Sequence, residues 1–202
     1  MRQRLMRDLA VLIKELRTRM RGPRAIEVIT VYLMLLAGVA AFALQMMHDR
    51  LQQGFNFTSA PAMGAEMFAI LSLFQLFLVI FIVPGLTGAA IAGERDRQTL
   101  DLLLATQVSS LWIILGKILS SLSYVLLLLV AALPIFSLVF LFGGVSPRQV
   151  ALAFAISVAT ALTLGTIGVF LSTLVRRGPT ATVLAYAVTF LMLMGSIAAS
   201  TF

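Results

Sequence analysis

The chain has 202 residues, 60% of them hydrophobic and only 11% charged, with no cysteine and a formal net charge of +7. Soluble domains carry about a quarter charged residues, so this balance excludes an ordinary soluble fold, and the missing thiols exclude disulfides and thiolate metal sites. The apolar residues gather in five long runs, each above the roughly 20 residues a helix needs to cross the hydrocarbon core.

In chain order, residues 1–24 come first and are basic, holding Arg2, Arg4, Arg7, Lys14, Arg17, Arg19, Arg21 and Arg24. Leu5, Leu9, Leu12, Leu16 and Met20 recur among them at helical spacing, which predicts an amphipathic helix lying in the membrane interface. A nucleic-acid-binding arm is the rival reading of the same charges. Gly22-Pro23 ends this helix, and a first span follows at about 26–47. A charged lead of this length is too long for a cleaved signal peptide, so the span reads as a retained anchor. A polar loop over 48–63 leads to a second span at about 67–92, expected to be kinked or thinned at Pro84-Gly85. A charged segment, 93–110, precedes a run too long for one straight span. Its first turns, through Lys117, are expected at the interface, with the third span at about 118–142. Gly143-Gly144-Val145-Ser146-Pro147 is a turn before the fourth span at about 150–174, and Arg176-Arg177-Gly178-Pro179 turns the chain into the fifth, 181–202.

Within a bilayer such runs must be helices or barrel strands, because no water is present to satisfy the backbone. Leu126-Leu127-Leu128-Leu129-Val130 does not alternate as a barrel strand would. The expected fold is therefore all-α: a polytopic membrane helical bundle of about five transmembrane helices behind an interfacial helix. With the N-terminus inside, thirteen basic residues fall on inner segments and two, Arg50 and Arg148, on outer loops. That bias predicts a cytoplasmic N-terminus. The C-terminus then falls outside, at Thr201-Phe202, with no polar tail. The expectation is that the coding region continues into a further hydrophobic segment.

The span centres hold no Asp, Glu, Lys, Arg or His, which disfavours a proton- or ion-coupled carrier. Gln45 and Gln75 are the large polar groups at depth and are expected to hydrogen-bond between helices. His48 has no companion ligands at metal spacing. Ser120, Ser121 and Ser123 have no base beside them. Gly116-Lys117 lacks the upstream glycine of a phosphate-binding loop. The chain reads as no enzyme, with no cofactor of its own; any ATP is bound by a partner subunit.

The segment after the second span is different in kind. Glu94-Arg95-Asp96-Arg97 alternates in charge and is followed by Leu100-Asp101-Leu102-Leu103-Leu104-Ala105. Leu100, Leu103 and Leu104 share one face of a short helix. Such a helix can rest on the membrane or insert in a groove of a soluble partner, and the charges ahead of it favour the second.

This segment resembles the loop between the second and third spans of ABC-2 type permeases. The resemblance rests on Glu94, Thr99, Leu100, Asp101, Leu102, Leu103, Leu104, Thr106 and Ser109, with Gln98 where the family has glycine and Gln107 where it has proline. Leu115-Gly116-Lys117 and Lys14-Glu15-Leu16-Arg17 add to it, and it extends over essentially the whole chain. The resemblance implies the transmembrane subunit of an ATP-binding-cassette transporter, an exporter in the cell membrane with six spans. It implies a cytoplasmic ABC ATPase subunit beneath it, a second permease subunit (homo- or heterodimer) beside it and lipid around it, with no nucleic acid. Residues 1–24 become the elbow helix and 25–202 the transmembrane domain. The 93–110 segment becomes the coupling loop, carried by Glu94, Arg95, Asp96, Arg97, Thr99, Leu100, Asp101, Leu103, Leu104 and Thr106. The alternative is a non-transporting membrane scaffold that uses the same loop to recruit a cytoplasmic protein.

Overall fold

The computed structural model describes residues 23–52, 60–96, 98 and 110–200. Its elements in order are α1 (Pro23–Gln52), α2 (Ala60–Thr87), α3 (Ala92–Asp96), α4 (Ser110–Phe142), α5 (Pro147–Leu174) and α6 (Gly178–Ser200). No strand occurs among the described residues. All of these helices except α3 are long and apolar enough to cross a membrane, so the fold is an all-α polytopic bundle. The elbow assigned to residues 1–24 lies almost wholly outside the described residues; only its last two, Pro23 and Arg24, are seen, at the start of α1.

Local chemistry sets the helix ends. Pro23 opens α1 and Pro147 opens α5; proline suits the first helical turn because its missing N–H would be unpaired there anyway. Before α5, Ser146 and Gln149 cap reciprocally. The Gln149 amide donates to Ser146 Oγ at 3.3 Å, and the Ser146 amide donates to Gln149 Oε1 at 2.8 Å. Gly143 and Gly144 make the preceding turn at φ of 77° and 79°, a region that costs other residues about 1–2 kcal/mol. Helices α2 and α4 start at Ala60 and Ser110, earlier than the apolar runs alone indicate. A helix continues past the hydrocarbon edge as long as its backbone can bond along the chain, so hydropathy underestimates its length.

The chain forms two compact units. One comprises Arg21–Leu78 and Leu126–Val158. Its core includes Tyr32, Leu36, Leu71, Leu128 and Phe136. Phe136 meets Phe68 and Phe154 edge-on, with centroids 6.2 and 5.3 Å away. The other unit includes Val79–Val125 and Ala159–Phe202. There small residues let helices approach closely: a Cβ on Gly168 would fall on Thr87 Oγ1, and one on Gly88 would lie 2.7 Å from Thr182 Cα.

Candidate functional site

The charged segment begins inside this second unit. Pro84 lies within α2, yet the helix continues to Thr87, and residues 88–91 form turns before α3. These turns are held by Ala90 N to Thr87 O at 3.0 Å and Gly93 N to Ala89 O at 2.9 Å. The amides of Ile91 and Ala92 leave the ladder. Both donate to Ser172 Oγ on α5, each at 2.9 Å. Ser172 is fully buried, as is Ala92, and Ile91 nearly so. A serine from another helix thus caps α3 in the way a local N-cap residue would.

Two further contacts hold α3. Gly178, at the start of α6, lies against Gly93; a Cβ on Gly178 would be 3.3 Å from Gly93 Cα. Lys117 Nζ donates to Glu94 Oε1 at 3.1 Å. The side chain of Lys117 is 14% exposed and that of Glu94 31%, so this ion pair is shielded on the lysine side and open to solvent on the carboxylate side. From sequence alone Lys117 belongs to the interfacial turns and Glu94 to the charged segment before them; the structure brings the two together. The apolar packing beside them is Ala90, Ile91 and Val169, with Ile114 and Ile118 against it.

Of the residues assigned to the loop from sequence, Glu94, Arg95 and Asp96 lie on α3. Arg97, Thr99, Leu100, Asp101, Leu103, Leu104 and Thr106 lie outside the described residues. Gln98 is described, exposed, with φ of 58° and its amide donating to the Arg95 carbonyl at 3.1 Å. The family pattern has glycine here, and the backbone takes the left-handed conformation that glycine serves. The serine cap was missed from sequence: Ser172 lies 81 residues from Ile91, and a lone serine near a helix end gives no sign of its partner.

Buried polar atoms also occur in the other unit. Tyr32 Oη, Ser72 Oγ and Gln75 Oε1 are buried without a hydrogen-bond partner among the described residues. Gln45 is exposed. Among the described residues no cluster of His, Asp or Glu could hold a metal ion.

A serine cap and an ion pair thus anchor the root of the charged segment between long apolar helices. The chain matches the family model for the ABC-2 family transporter protein over residues 9–202. It belongs to that family. The chain is thus a multi-pass permease subunit of an ABC transporter, a class that works with an ABC ATPase. The curated proteins contain no significant match to it.

Proposed function

We propose that this permease subunit exports its substrate with energy from a separate cytoplasmic ATPase, and that the 93–110 segment receives the stroke. The observation that supports the reading is the anchored root of that segment. Capped by Ser172, paired through Glu94 to Lys117 and packed on α6, α3 passes a push on the loop to α4, α5 and α6 together. An unanchored loop would dissipate it. Leu100, Leu103 and Leu104 are the apolar face that enters the ATPase groove, with Arg95, Asp96, Arg97, Thr99, Asp101 and Thr106 around it. Two copies, or this chain and a homologous one, make the working bundle in the cell membrane. The thirteen-to-two charge bias supports a cytoplasmic N-terminus. Impermeant thiol reagents will accordingly label cysteines introduced at Gln52 and Gln149 from outside, and not one at Gln98.

The test is Leu103→Ala in the full transporter. Truncating a buried leucine costs about 2–5 kcal/mol in a packed core, and interface anchors are similar. Recovery of the ATPase with the permease, or transport per ATP hydrolysed, will fall while insertion stays normal. Equal recovery and equal coupling would overturn the role of this loop. ATPase recovery with no transport by the wild type would instead favour a scaffold.

A further inference from the structure

The stretch from Val83 to Gly93, which joins α2 to α3, packs against α5 and α6 in a constant register. On α5, Gly165, Gly168 and Ser172 share one helical face. A Cβ on Gly165 would lie 3.7 Å from both Val83 Cγ1 and Thr87 Cγ2. One on Gly168 would fall on Thr87 Oγ1, with Thr87 Cβ 3.0 Å away. One turn further along both segments, the Ile91 and Ala92 amides meet Ser172 Oγ. Thr87 to Ile91 and Gly168 to Ser172 are the same step along the chain, so the two segments run parallel and in step. On α6 the order reverses. Gly85 faces Tyr186, whose hydroxyl donates to the Phe81 carbonyl at 2.8 Å; Gly88 then faces Thr182, and Gly93 faces Gly178.

Thr87 occupies the decisive point of this register. It is the last residue of α2 and fully buried. Its hydroxyl donates to the Val83 carbonyl at 2.9 Å, which satisfies it within its own helix. Its carbonyl accepts the Ala90 amide at 3.0 Å and so begins the turns towards α3. Its seat against α5 exists because Gly168 has no side chain. The Ser172 cap needs one oxygen within hydrogen-bond reach of two amides at once, and that reach spans only about 0.5 Å. The α2–α5 spacing one turn earlier, where Thr87 meets Gly168, therefore decides whether the cap forms.

We propose that Thr87 and Gly168 are positioning residues for coupling: a threonine seated against a missing side chain sets the α2–α5 spacing at which Ser172 caps α3. The proposal rests on the reading that the 93–110 segment receives the ATPase stroke. It assigns the spacing on which that segment's anchorage depends to two positions outside the segment itself.

The test exchanges a methyl between the two helices. Gly168→Ala forces a methyl onto Thr87, whose Cβ is fixed to the α2 backbone and cannot swing aside. This overpacking will lower hydrogen-exchange protection of residues 88–96 by about ten-fold. Thr87→Ala opens a gap at the same place and will lower it by about three-fold. The double variant fills that gap from the other side, so its protection will return to within about two-fold of the wild type. In the full transporter, transport per ATP hydrolysed will follow the same order, with ATPase recovery unchanged. Gly195→Ala is the control, since nothing lies within 4 Å of its Cβ position. Additive losses in the double variant would overturn the proposal, as would Gly168→Ala exchanging no faster than Gly195→Ala. Lost protection with wild-type coupling would make the contact purely structural and overturn it too. Should Gly168→Ala fail to fold, the double variant still decides: folding restored by Thr87→Ala supports the seat, and no restoration overturns it. Wild-type transport indifferent to ATP would instead sink the ATPase reading, while the exchange measurements, made on the permease alone, would still decide the spacing.

Discussion

Ser172→Ala is the most direct probe of how α3 is held. The substitution removes the acceptor shared by the Ile91 and Ala92 amides and leaves the surrounding packing nearly unchanged. Each buried N–H left without a partner costs about 1–3 kcal/mol, so two set a ceiling of about 6 kcal/mol for a rigid structure. Water cannot offset this cost in place, because Ile91, Ala92 and Ser172 are all buried. The structure is not rigid, however. α3 has five residues, and opening its first turn to water relieves the penalty by giving up only local contacts. The expected outcome is therefore a loss of about 2–3 kcal/mol, confined to residues 88–96, with the long helices intact. Hydrogen exchange by mass spectrometry on peptides covering this stretch will show protection falling by about 30- to 150-fold, which is that loss expressed as an opening equilibrium. Ser172→Thr, which keeps the hydroxyl, will retain most of the protection. Ser123→Ala is the control, since Ser123 Oγ bonds the Leu119 carbonyl of its own helix, at 2.9 Å, away from α3. If Ser172→Ala exchanges no faster than Ser123→Ala, the serine does not cap α3 and the anchorage argument fails.

Three further outcomes follow from neighbouring contacts. Glu94→Ala will harm thermal stability in detergent more than Lys117→Met, because it leaves the better-shielded charge without this partner; the double exchange Glu94→Lys with Lys117→Glu should recover most of the loss, and no recovery would mean the pair is incidental. Gln98→Gly will make the segment more resistant to protease by up to about 1 kcal/mol of local stability, since glycine takes φ of 58° without strain; faster cleavage would show that glutamine's side chain holds the turn. Gln75→Leu will be neutral or raise the melting temperature, because the buried Oε1 has no partner to lose among the described residues; destabilisation above about 1 kcal/mol would reveal one.

The fold was legible because a bilayer leaves the backbone few choices. Leu126 to Val130 cannot be read as a barrel strand, and runs such as those within α2 and α4 are long enough to name the class outright. Helix ends were less legible than helix centres. Hydropathy reports where lipid is, whereas Ala60 and Ser110 start their helices under backbone rules that continue past the lipid edge. A distortion was expected at Pro84-Gly85 because proline removes a donor whatever surrounds it, and the helix runs on through that position to Thr87.

What stayed hidden is whatever depends on two helices meeting. Ser172 and Tyr186 are ordinary residues in apolar runs, and neither carries a charge, a repeat or a spacing that marks it. Their roles arise because α5 and α6 bring them to backbone groups 81 and 105 residues away. In both cases the partner is a backbone atom beside a local break: the amides of the turns before α3, and the Phe81 carbonyl, one residue past the Ile80 carbonyl that Pro84 leaves unpaired in the ladder. The breaks themselves were readable: Pro84-Gly85, then Gly88 and Gly93 within the next two turns. In a membrane a freed backbone group must be satisfied within the protein. A proline inside a span therefore marks a carbonyl four residues back that needs another partner, even though the sequence does not say which.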